Sequence, residues 1–165
     1  MSEQNIKLFC IPGGGASAFV YWKYTKYLNK NIKLCLLELP GRGLRKREEP
    51  VNELHAVVDD LYAHLVEELT KSPDCGYMLL GYCYGGILAY ELYQKIRREG
   101  IQEPFHIFMS ATDAEMDTLL AAFPAEDAAE IRDLTANARN EREYSRPPHA
   151  YRALFRKLKS IPAEQ

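Results

Sequence analysis

An α/β fold built on a mainly parallel sheet is what this sequence predicts, and three features carry that expectation. Short apolar runs alternate with segments of helical hydrophobic spacing, the pattern that places right-handed crossovers over both faces of a parallel sheet. Near the start of the chain, an apolar run is stopped by the glycine-rich stretch Pro12-Gly13-Gly14-Gly15. Further on, Leu79-Leu80 leads through Gly81-Tyr82-Cys83-Tyr84-Gly85-Gly86 into Ile87-Leu88, joining a strand to a helix by a turn too tight for ordinary side chains.

That second turn reads G-x-C-x-G, the pattern of a nucleophile elbow. In such an elbow the central residue stands in a strained conformation at the tip of a strand, and glycines two positions to either side let the helix pack close. Cys83 holds the central place. Backbone N–H groups at the start of a helix favour an anion, which suits a thiolate nucleophile. The alternative is a plain strand–helix turn in which Cys83 is an inert buried thiol.

A chain of 165 residues with 47% hydrophobic residues is expected to fold as one globular domain, without disulfides or metals. Its net charge of −2, with 27% charged residues, gives no footprint for nucleic acid. No apolar run approaches the length of a membrane span, and no basic-then-apolar leader opens the chain. Cys10, Cys35 and Cys83 fall in or beside expected buried strands, Cys75 falls in a loop, and no C-x-x-C or His/Cys spacing suggests a metal. Reduced thiols and a cytoplasmic location are the corresponding expectations.

In chain order, Ile6 to Ile11 is the first expected strand. The glycine loop after it has exposed N–H groups, which serve either as a phosphate cradle or as part of an oxyanion hole. The phosphate reading lacks G-K-S/T and G-x-G-x-x-G. A helix from about Ser17 to Leu28 carries Phe19, Trp22, Tyr24 and Tyr27, expected as core rings more than as a substrate wall. Ile32 to Leu39 is the second strand, ended by Pro40-Gly41-Arg42-Gly43. The loop through Arg45-Lys46-Arg47 is locally basic, either a solvated turn or a docking patch for an acidic partner.

Leu54, Val57, Val58, Leu61, Leu65 and Leu69 recur at helical spacing after Asn52, which is placed to cap that helix. His55 and His64 lie off or beside the stripe and read as surface residues. Tyr77 to Leu80 is the strand feeding the elbow, Ile87 to about Arg98 the helix after it, closed by Gly100, and Phe105 to Met109 a further strand.

These residues resemble a type II thioesterase of the α/β-hydrolase superfamily, the stand-alone editing enzymes of nonribosomal peptide and polyketide assembly lines. The family's F-P-x-A-G-G-S-A loop is similar to Ile11 through Ala18, with an aromatic pair following at Tyr21-Trp22. Its L-P-G-R-G-x-R-x-x-E-P motif is matched almost letter for letter from Leu39 to Pro50, and its G-H-S-M-G-A elbow corresponds to Gly81 through Gly86 with Cys83 in place of serine. The match runs over about residues 6–110. The resemblance implies a three-layer α/β-hydrolase sandwich, incomplete on its C-terminal side. It also implies a Cys83 nucleophile, and an oxyanion hole from the N–H groups of Tyr84 and of Gly14 or its neighbour. The substrates implied are acyl groups carried as thioesters on the phosphopantetheine of acyl or peptidyl carrier proteins, with no cofactor of the enzyme's own. Arg42 and Arg45 are then the expected carrier-docking cations.

In this family a catalytic aspartate and then a histidine follow the elbow. Residues 1–110 read as the core and residues 111–165 as a helical, lid-like continuation, with apolar spacing at Leu119, Leu120, Phe123, Ile131 and Leu134 and again at Tyr151, Leu154, Phe155 and Leu158. Asp113 matches the place where related chain-terminating thioesterase domains carry their acid; the alternative is a solvated helix cap. His149, after two prolines at an expected helix start, is the candidate base; the alternative is a surface histidine. His106 lies within a strand and is expected to be packed. A hydrolase, a carrier-binding module without turnover, and a gene fragment remain open at this point. An uncovered sheet edge makes self-association an expectation.

Overall fold

The computed structural model describes residues 6–110 together with Ala125. Within them four strands form one parallel sheet: β1 (Ile6–Ile11), β2 (Ile32–Leu36), β3 (Gly76–Tyr82) and β4 (His106–Ser110), in the order β2-β1-β3-β4. Two α-helices provide crossovers, α1 (Leu54–Thr70) and α2 (Tyr84–Glu99), and a 3-10 helix spans Ala18–Tyr27 between β1 and β2. This is the α/β architecture that the alternating sequence pattern predicts.

β1 lies between β2 and β3, with Ile6 in register with both Ile32 and Gly76, and all six of its residues are buried. Side chains alternate along a strand, so Phe9 and Ile11 join Val57, Leu61, Leu65, Leu88, Leu92 and Ile96 in one apolar layer. Ile6, Leu8 and Cys10 join Tyr21, Met78 and Leu80 in the other. Tyr21 also donates from its hydroxyl to the Ile11 carbonyl at 2.9 Å, so the 3-10 helix is fixed to the end of β1. Of the four rings expected in the core here, Tyr24 is half-buried against this layer, while Phe19, Trp22 and Tyr27 are exposed and Phe19 stacks on Trp22 with ring centres 6.1 Å apart; the buried ring is Tyr21.

Lys7 departs from the apolar reading of β1. It is buried, yet its Nζ donates to the Glu68 carbonyl in the last turn of α1 and lies 3.7 Å from the Glu68 carboxylate. A helix C-terminus leaves carbonyls without intrahelical donors, so a cation from the adjacent strand is well placed there.

Several boundaries shift for identifiable reasons. β2 ends at Leu36 instead of Leu39, although the Leu37 N–H still donates to the Cys10 carbonyl at 3.0 Å. Glu53, not Asn52, caps α1: its longer carboxylate accepts from the N–H groups of His55 and Ala56 at 3.0 and 2.7 Å. β3 runs on to Tyr82 and α2 begins at Tyr84, three residues earlier than the apolar stripe suggests, so Cys83 alone separates strand from helix. Gly100 closes α2 with φ 67°, the left-handed cap that glycine adopts without strain.

The short turn forces backbone against backbone. A Cβ on Gly85 would lie 2.5 Å from the Ile11 carbonyl oxygen and 2.6 Å from that of Pro12, and one on Gly81 would lie 2.6 Å from the Gly86 nitrogen. Main-chain atoms at such distances have no rotamer through which to yield. Gly85→Ala is therefore expected to lower unfolding free energy by about 3 kcal/mol, the upper end of overpacking costs. Gly14→Ala, whose Cβ would meet Tyr84 Cβ at an ordinary 3.9 Å, should stay within about 0.5 kcal/mol of the wild type. Urea unfolding of the two variants checks this.

Candidate active site

Cys83 has φ 52° and ψ −120°, and it is the one non-glycine residue with positive φ among the described residues. A positive φ at a residue bearing a side chain is strained, and the close fit around Gly81 and Gly85 holds it in place. The Cys83 side chain is half-buried at the N-terminus of α2, and its carbonyl accepts from the Gly86 N–H at 2.8 Å. Tyr84 opens α2, so its N–H is among those without an intrahelical acceptor. A thiol at this point meets the free N–H groups of a helix start.

The glycine loop lies against the elbow. A Cβ on Gly13 would be 3.2 Å from the Tyr82 ring and the Tyr82 carbonyl oxygen, and one on Gly14 would face Tyr84. The loop turns tightly, with the Ala16 N–H donating to the Gly13 carbonyl at 3.3 Å and Gly15 at φ 74°. Gly13 is buried and Gly14 exposed. The structure thus brings Gly14 beside Tyr84, which follows Cys83 in the chain; these are the three positions that the resemblance implies for attack and oxyanion binding.

Arg42 and Arg45 are engaged inside the protein. Arg42 Nη1 donates to the carbonyls of Gly13 at 3.3 Å and Ala16 at 3.5 Å. Arg45 forms a fork with Asp60 at 2.6 and 2.8 Å, bonds Glu48 at 2.8 and 2.5 Å, and donates to the Glu38 carbonyl at 2.9 Å. The hydrogen bonds it donates to Asp60 and then to Glu48 push the Arg45 pKa up and keep it charged. In the same loop, Lys46 and Arg47 are exposed.

Glu38 received no role from sequence. Its carboxylate accepts from the Ser17 hydroxyl, from the Ala18 N–H at 3.0 Å and from the Leu39 N–H at 3.3 Å. It thereby anchors the end of the glycine loop, where Ser17 itself caps the 3-10 helix through the Phe19 N–H at 3.1 Å. Its one sequence signal is its place immediately before Leu39-Pro40-Gly41-Arg42.

Cys10 and Cys35 differ from Cys83 in setting. Cys10 is fully buried and desolvation raises its pKa strongly; Cys35 is buried and pushed up to about 11, chiefly by desolvation. His55 and His64 are exposed on α1, and His64 Nδ1 lies 2.9 Å from the Asp60 carbonyl. His106 is in register with Met78 in β3, four residues and roughly 13 Å along the strand from Tyr82. It therefore stands at the far end of the sheet from the elbow. Asp113, His149 and the two expected C-terminal helices lie outside the described residues. Among the described residues, no group of three His, Cys, Asp or Glu side chains is placed to hold a metal ion, and no helix is long and apolar enough to cross a membrane.

Comparison with known proteins supplies the lineage. The chain is 36% identical over 115 residues to the gramicidin S biosynthesis protein GrsT of Aneurinibacillus migulanus, covering 68% of this chain and 43% of that protein. It thus spans less than half the length of that relative. Among solved structures, ClbQ from the colibactin NRPS/PKS pathway is 32% identical, with a TM-score of 0.60 over 78% of this chain and 54% of that one. The RedJ thioesterase from the prodiginine pathway of Streptomyces coelicolor shares the fold, with a TM-score of 0.60 at 24% identity over 96% of this chain and 58% of that one. A different likeness runs alongside. The dual-action ribosomal maturation protein DarP of Chromobacterium violaceum is 35% identical over 140 residues, 76% of this chain and 74% of that protein. DarP of Xanthomonas oryzae is 45% identical over 53 residues, 32% of this chain and 28% of that protein. The thioesterase domain profile matches residues 6–163, a span that holds the parallel sheet, the glycine loop and the strained elbow. The chain belongs to the thioesterase domain family.

Proposed function

We propose that this chain acts on acyl groups held as thioesters on the phosphopantetheine arm of carrier proteins in nonribosomal peptide or polyketide synthesis, with Cys83 as nucleophile. The observation that carries the reading is Cys83 at φ 52° on the elbow, with Gly14 and Tyr84 beside it. In the first step Sγ bonds the acyl carbon and the carbon–sulfur bond to the arm breaks, so one thioester replaces another and the Cys83 proton leaves on the released thiol. The tetrahedral oxyanion between them is held by backbone N–H donors. Release to water requires a base, and none of the described side chains hydrogen-bonds Cys83. General-base assistance is worth roughly 10²–10⁴-fold, so acylation outpaces deacylation unless Asp113 and His149, which stand as proposals for acid and base, supply it.

Carrier docking is assigned to the exposed cations of the 43–47 loop. Arg45 is occupied by Asp60 and Glu48, so Lys46 and Arg47 are the groups that meet an acidic partner, and their contribution weakens with salt.

Incubation with an acyl N-acetylcysteamine thioester, followed by released thiol and intact mass, tests both points. The expected result is one thiol per protein and an acyl adduct on Cys83, absent in Cys83→Ala. With an acylated carrier as donor, Lys46→Glu/Arg47→Glu should slow acylation in a salt-dependent way and leave the small thioester unaffected. Rapid multiple turnover abolished by His149→Ala would instead make His149 the base. No adduct and no turnover would sink the reading.

The DarP likeness favours a second reading for part of the chain. The thioesterase motifs all lie at or before Gly86 and the described fold ends its last strand at Ser110, and the Xanthomonas match takes about a third of the chain. On this reading residues 6–110 are the hydrolase core, and the shorter, Xanthomonas match is assigned to residues 111–165 as a ribosome-directed appendage. Full-length protein run with ribosomal particles on a sucrose gradient decides it: cosedimentation supports the appendage, and a protein that stays at the top of the gradient removes it.

A further inference from the structure

We propose that Arg42, assisted by Glu38, is a positioning residue that aims the Gly14 N–H at the oxyanion above Cys83. This rests on the thioester reading given above. A trans peptide is planar, so the Gly13 carbonyl and the Gly14 N–H belong to one plane and point in opposite directions. Whatever holds that carbonyl fixes the direction of that N–H.

Two donors hold it, the Ala16 N–H at 3.3 Å and Arg42 Nη1 at 3.3 Å. Arg42 also reaches the Ala16 carbonyl at 3.5 Å, so a single guanidinium spans the turn. A Cβ on Gly14 would face Tyr84, the first residue of α2, at 3.9 Å. With the cation on the carbonyl side, the opposed N–H is the donor that the proposal directs to the elbow.

Such a restraint is needed because three consecutive glycines have more backbone freedom than any other tripeptide. Glu38 fixes the far end of the loop through Ser17 and Ala18. Gly43 lets the two loops meet, since a Cβ there, at φ 48°, would collide with Glu38 Oε2 and Ser17 Oγ. Arg45 then ties the Glu38 backbone to Asp60 of α1. The chain of contacts runs from a rigid helix to the mobile-prone glycines, and it uses both arginines that a docking role would have left free.

The test compares two reactions of Cys83 in the full chain. Acylation by an acyl N-acetylcysteamine thioester passes through an oxyanion; alkylation by iodoacetamide does not. Arg42→Met keeps the aliphatic stem and removes the donor, and Arg42→Lys keeps the charge and removes the fork. The expected outcome is acylation slowed about tenfold or more in Arg42→Met, below the roughly 10²–10³-fold for deleting an oxyanion donor, with alkylation unchanged and the loss in the limiting rate instead of in half-saturation. Arg42→Lys should lie between, and it decides the matter if Arg42→Met does not fold. Acylation at the wild-type rate in both variants overturns the proposal, as does an equal fall in both reactions. An effect seen only with a carrier-borne acyl group and erased by salt makes Arg42 a docking residue and also overturns it. A wild-type chain that forms no adduct defeats the thioester reading itself, and does so in a sample that needs no variant.

Discussion

Backbone packed against backbone at the elbow is the constraint from which the rest of the site follows. Gly85 of α2 sits on the carbonyls of Ile11 and Pro12, and Gly81 of β3 sits on Gly85 and Gly86. The end of β1, the end of β3 and the start of α2 are therefore brought to one point. That contact leaves a single residue between strand and helix, and Cys83 takes the positive φ that the geometry demands. Because parallel neighbours end at the same side of a sheet, the loop leaving β1 must emerge beside the elbow. The proposed sites of attack and oxyanion binding then share one small region without any long-range device.

A loop of three glycines in that region has freedom that the proposed catalysis cannot use. The protein removes it with charge placed close by. Arg42 grips carbonyls of the loop, Glu38 anchors its end, and Arg45 couples Glu38 to α1 through a forked pair with Asp60. A guanidinium suits this use because its donors lie in one rigid plane and bond carbonyl and carboxylate together. The basic loop seen in the sequence thus divides into two inward-directed arginines and two outward cations, Lys46 and Arg47. Much of the positive charge in this loop is thus spent on holding the glycine loop.

The fold was legible because its signals are local. Apolar runs bounded by glycine and proline located β1, β3 and β4 within one or two residues, and the heptad-like spacing from Leu54 to Leu69 located α1. Glycine spacing alone announced the elbow. What escaped was contact between segments distant in sequence. Lys7 reads as an interruption of an apolar strand, and only the approach of the α1 C-terminus shows why it is buried. Glu38 reads as a polar residue in a strand end, and only the fold brings it to Ser17. The choice between Asn52 and Glu53 as cap turned on side-chain reach, which propensity does not encode. Asp113 and His149 lie outside the described residues, so the acid and base keep the standing that the sequence lent them.

The central claim is that the elbow and the restrained glycine loop together stabilise a tetrahedral oxyanion on Cys83. An acyl trifluoromethyl ketone, whose carbonyl adds a thiolate reversibly and stops at that stage, examines it directly by fluorine NMR. The account predicts a new, protein-bound resonance for the hemithioketal, present in the wild type and absent in Cys83→Ala. A spectrum containing only free ketone and its hydrate, from a folded wild-type protein at saturating inhibitor, would contradict it.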